Sequence, residues 1–240
     1  MKISIVTAVR NDAEHIEETM LSVLNQNYPD LEYIIIDGAS TDGTTEIISR
    51  YRDRLAVFIS EKDNGIYEAM NKGIRQATGD VIGMINSGDS YFPGAFEKVA
   101  GAFGNDPGRR IFWGDVEYES CGRVKGFRKH NLYRGAFAPH PSMFVPKKVY
   151  EEVGLYDESF RLLGDYDFMY RAVNVKKVEP LYLPELISYY RAGGLSDRLI
   201  CRCLCDELRV KLRYGQNPFT ARMIWFLKVI KNLPRIVFAK

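Results

Sequence analysis

No glycine occurs in residues 7–14, the stretch that follows the first apolar β run at residues 3–6. A nicotinamide dehydrogenase needs a Gly-x-Gly-x-x-Gly turn there to bring backbone against pyrophosphate, so that class is excluded. The Gly-rich basic loop of a sugar-nucleotide pyrophosphorylase is missing from the same place. No apolar stretch reaches the roughly 18 residues that a membrane-spanning helix requires. Met1-Lys2 runs straight into a core strand rather than a secretory leader, so the expected location is the cytoplasm. Of the four cysteines, Cys201, Cys203 and Cys205 alternate, with no histidine or second pair near them. That spacing does not suit zinc; free thiols on a helix, in a reducing compartment, are expected, with Cys121 a further thiol. A net charge of +2 leaves no nucleic-acid footprint, and no nucleic-acid partner is expected.

At 240 residues, 46% hydrophobic and 27% charged, the chain can bury one good core. Apolar β runs at residues 3–6, 33–36, 56–60 and 81–85 alternate with helical patterns, the first placing Ile16, Met20, Val23 and Leu24 on one face. Further helices are predicted near Thr44 and over residues 67–76. The repeat is β-α-β-α-β-α-β, an α/β class. Asp37 and Asp89 stand at strand exits, where open α/β sheets bind ligands. Asp37 can accept from a base or ribose. A lone Asp89 holds a hard cation only if other oxygens, such as those of a diphosphate, complete the shell. The competing reading of 86–89 is a plain Ser-Gly-Asp turn.

Three blocks in this order resemble glycosyltransferase family 2: Ser4-Ile5-Val6-Thr7-Ala8-Val9-Arg10-Asn11, Asp37-Gly38-Ala39-Ser40-Thr41-Asp42-Gly43-Thr44, and Asn64-Gly65 through Asn71-Lys72-Gly73. With Asn86-Ser87-Gly88-Asp89 they are especially similar to the bacterial colanic acid and exopolysaccharide branch. The resemblance continues more weakly through Pro139-His140-Pro141-Ser142, Gly164-Asp165-Tyr166-Asp167-Phe168 and Gly193-Gly194-Leu195-Ser196. It implies a GT-A, Rossmann-like nucleotide-sugar-binding fold with a mixed central sheet, and inversion at the anomeric carbon. It also implies a divalent cation, manganese or magnesium, and a nucleoside-diphosphate sugar donor, UDP-sugar favoured over GDP-sugar. On this reading residues 1–195 form the domain, 1–92 its donor half and 93–195 its acceptor half. Thr7, Val9, Asn11, Asp37, Asp63, Asn64, Asn71, Lys72, Asn86 and Ser87 are donor-side candidates, and Asp89 is the metal ligand. Asn86 and Gly88 stand where many members carry further acids, so metal affinity without donor should be weak. Met70 stands where relatives commonly have Arg.

The acceptor side follows Asp89. An inverting transfer needs a base on the acceptor hydroxyl. Asp165 opens a helical pattern, where a carboxylate serves as base or as N-cap; the resemblance assigns it the base, with Asp167 the second choice. His140, between two prolines, is an acceptor or metal-side candidate or a core histidine bonded to backbone. Gly193, Gly194 and Ser196 form a candidate lid. Arg123, Lys125, Arg128, Lys129 and Arg134 suit a solvated hairpin better than an anion-binding loop.

Residues 196–240 carry ten Lys/Arg against three Asp/Glu. Phe226, Ile230, Leu233 and Val237 share one helical face, flanked by Met223 and Val229, with Lys228, Lys231 and Arg235 opposite and Pro234 expected to bend or end the helix. This amphipathic tail suits peripheral membrane attachment, or packing on the domain or in a homodimer. The expected activity is transfer of a sugar to a glycan, lipid-linked, in bacterial surface polysaccharide assembly. The alternative is a catalytically weak nucleotide-sugar-binding scaffold.

Overall fold

The computed structural model describes the backbone of residues 1–125 and 140–238, and their side chains except at 196–197 and 234–238. Arg128, Lys129 and Arg134 of the basic loop therefore lie outside the described residues.

Four parallel strands, β1 (Ile3–Val9), β2 (Leu31–Asp37), β3 (Val57–Ser60) and β4 (Val81–Met84), lie side by side in the order β3-β2-β1-β4. Alternation sorts their side chains. Ile3, Ile5, Tyr33, Ile35 and Val81 enter one core, while Val6, Ala8, Ile34, Ile36, Ile82 and Met84 enter the other. Helices α1 (Ile16–Leu24) and α2 (Thr44–Ser49) cover the first face, and α3 (Ile66–Gln76) covers the second. Helix α3 lies close on β1 because Gly73 has no side chain; a Cβ there would meet Val6 Cγ1 at 2.2 Å. The chain therefore reverses its direction of winding between β1 and β4, and a crevice opens at their carboxyl ends.

The second half extends the sheet. A two-residue strand, β5 (Ser90–Tyr91), precedes α4 (Ala95–Phe103) and β6 (Arg110–Tyr118), which forms a hairpin with β7 (Gly122–Val124). Then follow β8 (Phe144–Pro146), α5 (Lys147–Val153), α6 (Gly164–Tyr170) with a π-helical extension over Arg171–Val175, and β9 (Glu179–Tyr190). The full order is β3-β2-β1-β4-β8-β6-β9-β5, with β7 on β6. Strand β8 is antiparallel to both β4 and β6, and β9 is parallel to β6. The exits of β1, β2, β3, β4, β6 and β9 therefore share one edge with the entry to β8, where His140 lies. The α/β class and mixed sheet expected from sequence are present.

The C-terminal segment is helical, as expected from sequence: α7 (Leu195–Arg198), α8 (Ile200–Arg213) and α9 (Pro218–Phe238), with α8 packed on the domain. Val210 of α8 is buried in the same core as α3 and α6. Arg213 reaches Asp157 and Asp167, and Arg209 lies over the Phe160 ring at 4.5 Å. Helix α9 rests on α8 at the periphery. It is one helix through Pro234, not two segments. Lys228 faces α8, paired with Glu207, instead of lining the solvent side, and Val229 is half-buried.

Candidate active site

The loops leaving β1 and β2 are knitted together. Asn11 N–H donates to Ser40 Oγ, Thr41 N–H donates to Asn11 Oδ1, and Asp12 N–H donates to Thr44 Oγ1. Asn11 and Ala39 hold φ of +50° and +57°, a left-handed conformation costly for non-glycine residues and kept only where surrounding bonds impose it. Asp37 is fully buried, its oxygens accepting from Ser40 N–H, Ser40 Oγ and Ser60 Oγ. It fixes the floor of this loop and has lone pairs left for a ligand. Asp63 lies beside Arg10 and Gly38: a Cβ on Gly38 would meet Asp63 Oδ2 at 2.6 Å and Arg10 Cδ at 3.2 Å. Burial raises the Asp63 pKa, partly opposed by the Gly65 N–H, Lys72 and Arg10.

Several donor-side candidates are placed elsewhere. Thr7 is buried with its hydroxyl 3.0 Å from that of Tyr33, and the Val9 side chain is in the core while its carbonyl accepts from Gly38. Asn71 is buried and bridges α3 to the next loop: its Nδ2 donates to Tyr156 O and Glu158, and its Oδ1 accepts from Tyr156 N–H. Lys72 pairs with Glu61 and Glu68, and Glu68 also accepts from the Asn64 backbone and side-chain amides. In this structure the polar groups of Thr7, Asn64, Asn71 and Lys72 have partners inside the fold.

The turn after β4 differs. Asn86 Oδ1 and Ser87 Oγ are buried with no hydrogen-bond partner among the described residues. A buried polar atom left without a partner costs roughly 1–3 kcal/mol, so two together mark a place for a polar ligand. Asp89 beside them is 5% exposed and accepts from the Arg191 N–H at 3.1 Å. Arg191 also donates from Nε to Gly88 O and pairs with Glu18. One carboxylate with orphaned oxygens fits a cation that takes the rest of its shell from phosphate. No cluster of three or more acidic, histidine or cysteine ligands exists among the described residues. The Cys201, Cys203 and Cys205 thiols lie on α8, and Cys121 is in a turn.

Asp165 is the second residue of α6 and is half-buried. The Tyr67 hydroxyl is 3.1 Å from its Oδ1 and 2.6 Å from Leu162 O. Gly164 makes this possible: a Cβ there would meet the Tyr67 ring at 2.9 Å. Asp167 is turned the other way. It is fully buried and holds Arg171, Arg213 and Tyr214, tying α6 to α8.

His140 opens a short 3₁₀ turn (His140–Ser142) with Nε2 buried and unpartnered among the described residues. Burial lowers its pKa, partly opposed by Asp165, so the ring is neutral at pH 7. Tyr118, at the end of β6, packs against Tyr190 with ring centroids 4.7 Å apart and planes tilted by 33°. Burial raises the Tyr118 pKa, then Tyr190, Asp89 and Asp165 raise it further. Gly193 is left-handed at φ +86°, and Gly194 precedes α7 directly; the Ser196 side chain is outside the described residues. Arg123 pairs with the buried Asp115 and is not placed to meet an anion.

The profile of Glycosyl transferase family 2 matches residues 4–164, which span the parallel strands, the orphaned turn and the start of α6. The chain belongs to glycosyltransferase family 2. It is 27% identical over 219 residues to a PGL/p-HBAD biosynthesis glycosyltransferase of Mycobacterium bovis, covering 88% of this chain and 86% of the relative. An uncharacterised glycosyltransferase of Mycobacterium tuberculosis is 30% identical over 231 residues, covering 92% of this chain and 87% of the relative. Among solved structures, Staphylococcus aureus TarS 1–349 in complex with UDP superposes with a TM-score of 0.69 at 17% identity, over 94% of this chain and 70% of that one. The mannosyltransferase PcManGT of Pyrobaculum calidifontis, in complex with GDP-Man and Mn²⁺, gives 0.67 at 18% identity, over 98% of this chain and 70% of that one. The family 2 fold is therefore the GT-A fold expected from sequence.

Sequence reasoning missed Tyr67, Arg191 and Arg10. Tyr67 lay within a quoted motif, but its partner is 98 residues away. Arg191 directly follows β9, a strand whose two prolines hid it.

Proposed function

We propose that this family 2 enzyme is an inverting transferase that moves a sugar from a nucleoside diphosphate onto a glycan acceptor. The observation that carries the reading is the turn after β4, where the nearly buried Asp89 is flanked by Asn86 Oδ1 and Ser87 Oγ, both buried with no hydrogen-bond partner among the described residues. Asp37, Asp63, Arg10 and Asn11 would hold the nucleoside at the exits of β1 to β3. Asn86, Ser87 and Asp89 would hold the diphosphate and a manganese or magnesium ion, which when bound neutralises charge on the leaving group.

Asp165 acts on the acceptor. Its carboxylate takes the proton of the attacking hydroxyl as that oxygen bonds to the anomeric carbon and the bond from that carbon to the diphosphate oxygen breaks. Attack from the face opposite the leaving group inverts the centre. His140, whose Nε2 has no partner among the described residues, would offer that nitrogen to a second acceptor hydroxyl.

UDP-sugar is the favoured donor and GDP-sugar the second, supported by neighbours solved with UDP-GlcNAc and with GDP-Man. The acceptor is a lipid-linked glycan of bacterial surface polysaccharide assembly, met on the cytoplasmic face of the membrane; similarity to a PGL/p-HBAD biosynthesis enzyme supports this choice. Thermal shift against UDP-, GDP- and dTDP-sugars with manganese, followed by donor hydrolysis, tests it. Stabilisation and slow hydrolysis by one nucleotide class are expected; donor binding with no turnover in any acceptor extract would favour a non-catalytic scaffold.

A further inference from the structure

Helix α9 packs Ala221, Trp225 and Lys228 towards α8 and turns its other side to solvent. On that side Phe219 is 77% exposed, Phe226 and Leu227 57% each, and Met223, Ile230 and Leu233 between 44% and 48%. At 3.6 residues per turn these six form one stripe about a third of the helix circumference wide, and Arg222 and Lys231 border it on opposite edges. A stripe of that size on a folded domain marks a binding surface.

Its surroundings carry one sign of charge. No aspartate or glutamate occurs after Glu207, which lies between α8 and α9 holding Lys211 and Lys228. Arg198, Arg202, Arg222 and Lys231 are exposed and have no ion-pair partner among the described residues. Leu195 and Leu199 are exposed beside the first two. The short turn between α8 and α9, with Glu207 paired to Lys228, makes the helices antiparallel, so the Leu233 end of the stripe returns to the start of α8 and to α7. The segment leading into α7 begins at Arg191, whose N–H binds Asp89.

We propose that the α7 and α9 face docks on an anionic lipid surface, laying the stripe into the headgroup boundary with the cations on lipid phosphates. This deepens the transferase reading and rests on it for the acceptor, because docking would bring the cleft edge at Arg191 to the plane where a lipid-linked sugar lies. A second copy of this chain would bring four unpaired cations against their own kind, which disfavours it as occupant. No described helix is long and apolar enough to cross a membrane, so the attachment is interfacial and reversible.

Sedimentation of the full chain with phosphatidylglycerol-containing vesicles, against phosphatidylcholine vesicles, tests this. Binding to the anionic vesicles at least about tenfold stronger is expected, weakening with salt. Phe226→Glu with Ile230→Glu should abolish it, and Arg222→Glu with Lys231→Glu should reduce it about tenfold. All these variants should hydrolyse donor in solution like the parent, since the substituted side chains are exposed on α9 and, among the described residues, share no hydrogen bond or ion pair with those assigned to the site. Equal binding to both vesicles, binding unaffected by Phe226→Glu with Ile230→Glu, or a dimer that those substitutions dissociate without any vesicle binding would overturn it. Vesicle binding by a parent chain that hydrolyses no donor would leave the docking intact and remove the transferase reading instead.

Discussion

The Tyr67 hydroxyl, on α3, stands 3.1 Å from Oδ1 of Asp165, on α6, and 2.6 Å from Leu162 O. One phenolic proton thus serves two acceptors, and it fixes the carboxylate to the loop before its own helix. Gly164 lets the ring lie against that helix start.

Tyr67→Phe keeps the ring and removes the shared proton. Turnover should fall about tenfold to a hundredfold while donor affinity changes by less than about threefold, since one buried hydrogen bond to a charged group is involved. Steady-state kinetics with calorimetry of donor binding decide. An equal loss in both would show that Tyr67 supports the nucleotide side.

Asp167→Asn should act on stability. A fully buried carboxylate that holds Arg171, Arg213 and Tyr214 leaves uncompensated charge when neutralised, costing about 2–4 kcal/mol. Thermal unfolding should drop by roughly 5–10 °C, with turnover per folded molecule nearly unchanged. A variant of normal stability that has lost transfer would return Asp167 to the chemistry.

The acid limb of stability has an identifiable contributor at the opposite end of the sheet. Burial alone would raise the pKa of Glu32, but hydrogen bonds from Ser4, Thr78 and Lys2 outweigh it and hold it at about 2, against 4.5 for an unperturbed glutamate. A depressed folded-state pKa contributes stability above the unfolded value that is lost as pH falls through the folded one. Urea midpoints should therefore decline from about pH 4.5 towards pH 2. Glu32→Gln should be less stable at pH 7 and show a flatter decline; an unchanged slope would assign the limb to other carboxylates.

Cation binding should depend on donor. With Asp89 as the one carboxylate of its turn, manganese should bind measurably only with a nucleoside diphosphate present. Calorimetry of the free chain and of the chain with UDP or GDP compares the two. Tight manganese binding without nucleotide, or full transfer by Asp89→Ala, contradicts this assignment.

What could be read from the sequence follows from how local each signal is. Strands β1 to β4 are short apolar runs closed by turn residues, so strands and strand-exit acids were legible together, Asp37 and Asp89 among them. Strand β9 was not, because Pro180 and Pro184 interrupt it. The structure pairs residues 179–186 with β6 on one side only, and such an edge tolerates proline. Motif membership also left the partners inside the fold unseen. Asn71 and Lys72 lie beside Tyr67 in one block, yet their polar atoms bind Tyr156, Glu158, Glu61 and Glu68. Sequence spacing cannot distinguish a residue that lines a crevice from one that braces it. In α9, Lys228 sits on the side that the helical pattern assigned to solvent, and a single glutamate on α8 explains it.

The central claim is that Asp165 is the base and not a helix cap. The most direct measurement is single-turnover transfer by Asp165→Asn at saturating donor, with donor affinity measured on the same protein. The amide keeps the shape beside Tyr67 and cannot take the hydroxyl proton, so the rate should fall by about 10²–10⁴ with donor binding within about threefold of the parent. Transfer at near the parent rate, with Asp165→Asn folded and donor-bound, would contradict the account.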